Sequence, residues 1–113
     1  AGFLNSFNYP GIGLHDELSL FVKEGLTPAQ ALSAATRAGP AWFGTLDRYG
    51  AVAPGKAADL VLLERNPLED IEATRGIQYV VLRGRGYDRK ALDALLTQTK
   101  EKVAAWKAEA AKE

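Results

Sequence analysis

The sequence predicts a protein of the mixed α/β class. Helices are indicated where apolar side chains recur every three or four residues, and strands where short apolar runs stand between turn-forming residues. By these criteria we expect helices at about 14–24, 28–38 and 88–110, and strands at about 58–63 and 77–83. With 113 residues, the chain is long enough for one domain with a modest core.

The first helix is predicted from a periodic apolar face that follows an irregular segment. Residues 1–13 combine glycine, proline and asparagine with large apolar side chains, which is typical of a partly packed loop. From Leu14 onward, Leu18 and Phe21 continue one helical face. Gly25 is expected to end this helix.

The second helix has the clearest local signals in the chain. Thr27 is suited to cap it, Pro28 to occupy its first position, and Gln30 to complete a capping box. The pair Gly39-Pro40 is expected to end it. A short turn at 41–44 then carries Trp42 and Phe43, which we expect to bury apolar area rather than to stack on a ligand.

Two strands are predicted in the middle of the chain. The run at 58–63 is short, apolar and bounded by Gly55 and Pro67, which favours a buried strand. The segment NPLEDI at 66–71 is expected to form one capped helical turn. A second strand at 77–83 is expected to end in a turn at the glycines that follow. No third strand is apparent, so the sheet should have open edges that pair with another chain.

A long amphipathic helix is predicted to follow, with Asp88 as its N-cap. Its apolar stripe consists of Leu92, Leu95, Leu96, Thr99, Val103, Trp106 and Ala110. We expect this stripe to pack on the same chain; the alternative is a helix that binds a partner.

Composition excludes several classes of function. The 14 basic and 14 acidic side chains cancel, so no overall field would attract nucleic acid or an anionic membrane. No apolar run approaches the roughly 20 residues that span a bilayer. There is no cysteine, which excludes disulfides and thiolate chemistry, and His15 is the only histidine. Because zinc sites recruit three or four ligands, this chain alone is not expected to hold a metal.

Residues 50–56, GAVAPGK, imitate part of a phosphate-binding P-loop. Ala57 lacks the hydroxyl that would bind Mg²⁺, and Pro54 lacks a backbone donor. The following residues also favour a strand where the motif requires a helix. We therefore interpret the segment as a turn, with Lys56 in solvent.

His15 is the one candidate for polar chemistry. It follows the glycine-rich loop and precedes two carboxylates, so it is a candidate general base or substrate contact. The alternative is a structural histidine near a helix start that bonds a nearby carbonyl or carboxylate. No catalytic residue is assigned.

Two longer strings resemble a known family. These are EGLTPAQALSAAT at 24–36, and GAVAPGKAADLVLL with NPLEDI at 50–71. They closely resemble the carboxyl-terminal part of metal-dependent amidohydrolases, particularly the imidazolonepropionase-like and dipeptidase-like branch. The likeness covers about residues 1–87, and the last helix is a looser match.

The resemblance implies a (β/α)8 barrel with a small β-sandwich domain in the complete protein, and one or two divalent ions, expected to be zinc, that activate water. A barrel needs about 250 residues, so this chain would be the end of a larger enzyme. Residues 1–45 would close the barrel, 46–87 would belong to the β-sandwich, and 88–113 would form the carboxyl-terminal helix.

On that architecture the first residues become a loop beside the substrate pocket. The resemblance places Phe7, Asn8, Tyr9 and His15 at the pocket border, with no metal ligand among them, because the family's histidines and aspartate would lie upstream. It implies a hydrolase that cleaves C–N bonds of small amide, cyclic amide or dipeptide-like substrates, inactive without its missing part.

The alternative is a stand-alone α/β interaction module with an amidohydrolase-like sequence. In either case the chain is expected to bind the missing part or to self-associate, because its apolar faces would lack a cover.

Overall fold

The structure is a computed structural model that describes residues 11–112. In chain order its elements are α1 (Ile12–Lys23), α2 (Pro28–Thr36), α3 (Ala38–Trp42), β1 (Leu60–Leu63), a 3₁₀ helix (Ile71–Arg75), β2 (Ile77–Leu82), β3 (Arg85–Asp88) and α4 (Arg89–Ala110). The mixed α/β class is confirmed, and the predicted helices and strands are present with boundaries shifted by one or two residues. Among the described helices, none is long and apolar enough to cross a membrane.

The sheet has three antiparallel strands in the order β1-β2-β3, so the expectation of two strands is wrong. We expected a turn at Gly84 and Gly86, but Gly86 lies within β3. The turn itself uses Arg83 and Gly84, whose φ angles are 52° and 78°. Positive φ at both positions is typical of a two-residue type I′ hairpin, although arginine is unusual there. The carboxylate of Asp59 accepts the Arg83 N–H at 2.7 Å and holds this turn.

The capping box predicted at the start of α2 is present. The hydroxyl of Thr27 accepts the backbone N–H of Gln30 at 3.2 Å, and the side chain of Gln30 accepts the Thr27 N–H at 2.9 Å. The predicted end of α2 is wrong, however. α2 stops at Thr36, and Gly39-Pro40 lie inside α3. Proline is tolerated in the first turn of a helix, so this pair starts a new helix instead of ending the old one.

The segment NPLEDI forms a tighter structure than the predicted helical turn. The side chain of Asn66 accepts the N–H of Leu68 at 3.0 Å, which closes a turn at 67–69. Asp70 then caps the 3₁₀ helix, because its carboxylate accepts the Glu72 N–H at 3.0 Å. These two caps bring Ile71 to the interior.

The core lies where α1, α2 and the 3₁₀ helix meet, and it is small. Its buried residues are Leu18, Ala31, Ile71, Ala73 and Thr74. Many large apolar residues are instead exposed. Trp42 and Phe43 are 87% and 78% exposed, so the expectation that they bury apolar area within this chain is wrong. An apolar surface of this extent is typical of an interaction face.

α4 contacts β2 and β3 near its start and carries no buried residue. Leu92 and Leu95 line a groove of about 320 Å³ with Ile77 and Val80 of the sheet. Farther along, Trp106 is 69% exposed. The expectation that the whole apolar stripe packs on its own chain is therefore wrong for the described residues beyond the first turns.

Candidate functional site

His15 lies on α1 at the contact with the 3₁₀ helix. Its Nδ1 is 3.0 Å from the hydroxyl oxygen of Thr74. Thr74 is 7% exposed, and its hydroxyl lies 2.9 Å from the carbonyl oxygen of Ile71. The bond joins residues 59 positions apart in sequence. His15 therefore links two elements that the sequence places far from each other.

The hydrogen-bond pattern assigns the tautomer of His15. A threonine hydroxyl has one proton, and a carbonyl oxygen can only accept. The Thr74 hydroxyl donates to Ile71, so it must accept from His15, and Nδ1 carries the ring proton. In neutral imidazole this leaves Nε2 as a hydrogen-bond acceptor. The contact is structural, as in the second interpretation from the sequence, but its partner is a hydroxyl rather than a carbonyl or carboxylate.

A cluster of charged residues continues this contact between α1 and the 3₁₀ helix. The guanidinium of Arg75 donates from Nη2 to Asp16 at 2.8 Å and from Nε to Glu72 at 2.7 Å. The hydroxyl of Ser19 donates its one proton to the other carboxylate oxygen of Glu72, and its oxygen lies 2.9 Å from the His15 carbonyl oxygen. We call these residues, with His15 and Thr74, the α1–3₁₀ junction.

The junction shifts two protonation equilibria. The hydrogen bond from Ser19, followed by that from Arg75, lowers the pKa of Glu72 below its ordinary value. The carboxylates of Asp16 and then Glu72 raise the pKa of Arg75. All three charged groups are largely in contact with water, so each ion pair adds little to stability by itself. The Arg75–Asp16 pair joins the 3₁₀ helix to α1, and the Arg75–Glu72 pair, which lies within the 3₁₀ helix, holds the guanidinium in place.

The junction has no set of groups that would hold a metal ion. Across residues 11–112, no three histidine or acidic side chains converge in such a cluster. Arg75 occupies both Asp16 and Glu72, and Thr74 occupies His15 Nδ1. The arrangement can fix the direction of the His15 ring and leave Nε2 as a polar contact. We assign no nucleophile here, because the Thr74 hydroxyl accepts from His15 and the Glu72 carboxylate beside Ser19 is held by Arg75.

Of the four residues predicted to border a pocket, the structure places His15 only. Phe7, Asn8 and Tyr9 lie outside the described residues, so the predicted grouping stays a prediction. The sequence did not single out Thr74, Glu72 or Arg75. No local sequence pattern indicates a contact between residues nearly sixty positions apart. From the sequence alone, these residues are part of an ordinary charged segment.

The P-loop imitation is a structural turn, as expected. Gly55 has a φ of 84°, and the backbone N–H of Ala57 bonds the Arg48 carbonyl at 2.8 Å. The ammonium of Lys56 bonds the carbonyl oxygen of Leu46. The expectation that Lys56 is in solvent is wrong, because it is half-buried and ties the turn to the preceding loop.

Comparison with known proteins gives one consistent family. The model of the Amidohydrolase family matches residues 9–86. This range covers α1 to β2, ends within β3 and stops before α4. No curated protein matches the chain.

Several solved structures are similar to this chain. Molinate hydrolase has a TM-score of 0.64 and 30% identity, over 67% of this chain and 16% of that chain. Phenylurea hydrolase B has a TM-score of 0.64 and 38% identity, over 71% of this chain and 18% of that one. A Xaa-Pro dipeptidase with bound methionine in its active site has a TM-score of 0.62 and 28% identity, over 67% and 19%. The chain thus spans less than a quarter of the length of these proteins.

Proposed function

Because this chain belongs to the Amidohydrolase family, we propose that it is the carboxyl-terminal part of an enzyme that hydrolyses C–N bonds. The observation that carries the proposal is the family match over residues 9–86, combined with a span of 16–19% of the similar structures. The names of those proteins describe hydrolases and a dipeptidase. Amides, cyclic amides and dipeptide-like compounds are accordingly the substrate classes that we propose.

Within that enzyme, we assign two of the three predicted regions to different structural roles. Residues 1–45 would close a (β/α)8 barrel, and residues 46–87 would contribute to a β-sandwich. The exposed apolar side chains of α1 and α3 support the first role, since a barrel wall needs an apolar inner cover. The antiparallel sheet supports the second, because β1 and β3 are edges that further strands can extend.

The metal ions of this proposal are held by the remainder of the enzyme. One or two divalent ions, with zinc the expected one, would supply an activated water when bound. The described residues do not fit such a site, since the carboxylates at the junction are engaged by Arg75. No step is assigned to a metal in this chain. The missing amino-terminal part of the enzyme is accordingly its proposed partner.

His15 is the residue that we assign to the substrate pocket, together with Phe7, Asn8 and Tyr9. Its Nδ1 is held by Thr74, so the ring direction is fixed and Nε2 is the atom left for a substrate donor. An amide N–H of the substrate is a suitable donor for this nitrogen. His15 would then orient substrate without taking part in bond cleavage.

The proposal is tested by restoring the upstream reading frame and comparing the longer protein with the 113-residue chain. A panel of dipeptides, aryl ureas and cyclic amides is assayed after dialysis against a chelator and again after zinc is added. We expect the short chain to be inactive, and the longer protein to gain zinc-dependent hydrolysis of at least one class. Hydrolysis by the short chain, or none by the zinc-loaded longer protein, would refute the proposal.

Two variants of the longer protein separate the roles of His15. His15→Asn keeps an N–H donor for Thr74 and removes Nε2, whereas His15→Gln reaches the Nε2 position and loses the donor geometry at Nδ1. We expect the Asn variant to keep wild-type stability and to raise KM. If the Asn variant keeps both the wild-type stability and the wild-type KM, His15 is structural only and its proposed substrate role is wrong.

A second candidate function is a stand-alone interaction module. The exposed Trp42 and Phe43 and the open edge of β1 favour this class. The two candidates differ in the gene. A reading frame that continues upstream into a barrel sequence with an HxH motif supports the enzyme, and an upstream stop codon supports the module.

A further inference from the structure

Among the elements of residues 11–112, α4 is the large one that lies outside the family match. The match ends at residue 86, and α4 runs from Arg89 to Ala110. Its 22 residues give a length of about 33 Å at 1.5 Å per residue. The groove against the sheet is lined by α4 side chains only as far as Thr99. The distal half of α4 therefore needs a separate explanation.

The apolar stripe of α4 repeats with the spacing of a coiled coil. Six of its residues alternate at separations of four and three: Leu92, Leu96, Thr99, Val103, Trp106 and Ala110. This alternation corresponds to successive d and a positions of a heptad. Leu96 and Trp106 are 58% and 69% exposed, so most of the stripe is uncovered in the described structure, whereas Leu92 is half-buried beside the sheet. A single helix gains little from such a seam unless a second helix lies against it.

We propose that two copies of this chain associate by antiparallel pairing of α4. Pairing centred between Thr99 and Val103 sets these two residues against each other. It also sets Leu96 against Trp106 of the second copy, and Leu92 against Ala110. Parallel pairing would instead set Trp106 against Trp106 of the second copy, and Ala110 against Ala110.

Charges beside the seam favour the same direction. Asp93 pairs with Arg89 of its own helix at 2.8 Å; in the antiparallel arrangement it also lies beside Lys107 of the second copy, and this attraction occurs twice by symmetry. In a parallel arrangement Lys102 would face Lys107, and Asp88 would face Asp93, so both contacts would join like charges. Lys100 and Lys102 each lie near their own copy at the antiparallel dyad, where their long aliphatic stems let the ammonium groups turn to solvent.

The occupant is a second copy rather than a lipid surface. The polar faces of α4 mix Lys90, Lys100 and Lys107 with Asp93, Glu101 and Glu109. A surface-bound helix carries lysine and arginine along its polar face, and its apolar face is wider than a seam. The narrow stripe and the mixed charges of α4 match a helix partner instead.

Sedimentation equilibrium of the full 113-residue chain is the primary test, with Val103→Glu as the disrupting variant. Val103 lies past the sheet contact, so the substitution leaves the fold of the other elements unchanged. We expect Val103→Glu to raise the dimer Kd at least about tenfold. Ala108→Glu, at an exposed position on the face of α4 opposite the stripe, is the matched control and should leave the Kd unchanged. Equal loss with both variants, or a wild-type monomer throughout, overturns the proposal.

Charge variants test the direction of pairing. Lys107→Asp should weaken an antiparallel dimer, because it sets aspartate beside Asp93, but it would strengthen a parallel one by attracting Lys102. Adding Asp93→Lys should restore the wild-type Kd in the antiparallel arrangement. If Lys107→Asp strengthens association, or the double variant fails to recover it, antiparallel pairing is wrong.

A local signal distinguishes α4 from the other apolar faces. In a Trp42→Phe background Trp106 is the single tryptophan, and its emission should move to shorter wavelength as the concentration rises. Repeating this with the longer enzyme tests whether its own upstream part covers α4. A blue emission that does not change on dilution of a monomeric longer enzyme would show that cover and overturn pairing between copies.

Discussion

Replacing Thr74 by valine should destabilise the chain through two hydrogen bonds at once. The hydroxyl of Thr74 accepts from His15 at 3.0 Å and donates to Ile71 at 2.9 Å, at a position only 7% exposed. Valine fills a similar volume, so packing is conserved while both polar partners lose their bond. With about 1 kcal/mol for each bond, we expect a loss of about 2 kcal/mol in the free energy of unfolding.

Urea unfolding of dilute protein measures this loss. For a slope near 1.5 kcal/mol per molar urea, a loss of about 2 kcal/mol lowers the midpoint by about 1.3 M. Thr36→Val is the matched control, because Thr36 is exposed and its hydroxyl bonds only the Leu32 carbonyl within α2. We expect the control to change stability by less than about 0.5 kcal/mol.

A double-mutant cycle isolates the contact itself. His15→Ala and Thr74→Val are measured singly and together, and we expect a coupling free energy of about 1 kcal/mol. Additive losses would mean that the two side chains stabilise the fold independently. In that case the assignment of the His15 tautomer through Thr74 would also be wrong.

Three further substitutions have defined outcomes. Gly50→Ala should destabilise by about 1 to 2 kcal/mol in thermal unfolding, because φ is 89° and a Cβ would lie 3.1 Å from the carbonyl oxygen of Thr36; no change would refute this backbone requirement. Thr27→Ala should lose about 1 kcal/mol and reduce helicity in circular dichroism, and unchanged stability would show that the capping box is dispensable. The pKa of Glu72 is lowered, so its stabilisation is present above 4.5, its ordinary value, and is lost as pH falls below it. Ser19→Ala should flatten that acid dependence, and an unaltered profile would contradict the assignment.

Local signals in the sequence predicted the parts of the fold that depend on neighbouring residues. The capping box at Thr27 and the N-cap at Asp88, whose carboxylate accepts the Ala91 N–H at 2.8 Å, are both present. β3 was missed because its hairpin uses Arg83 at positive φ, a residue that carries no turn signal. That turn depends on Asp59, which lies 24 positions away.

The candidate site also combines a residue that the sequence indicated with a contact that it did not. His15 was recognised from the sequence because it is the only imidazole, but its partner was not. The bond to Thr74 depends on how α1 lies against the 3₁₀ helix, which is a tertiary property. The expectation that Trp42 buries apolar area was also wrong. An aromatic side chain indicates burial without indicating which chain covers it.

The join between β3 and α4 has a mechanical consequence. Asp88 is both the last residue of β3 and the N-cap of α4, and Arg89 donates from Nη1 to the carbonyl of Ile77 on β2 at 2.7 Å. Because no linker separates α4 from β3, α4 moves with the sheet as one rigid body. A rotation of the sheet by ten degrees would sweep the far tip through about 6 Å over its 33 Å length. In the proposed antiparallel pair the far end of α4 lies beside the start of the second copy's helix, so such a rotation would be transmitted from one sheet to the other.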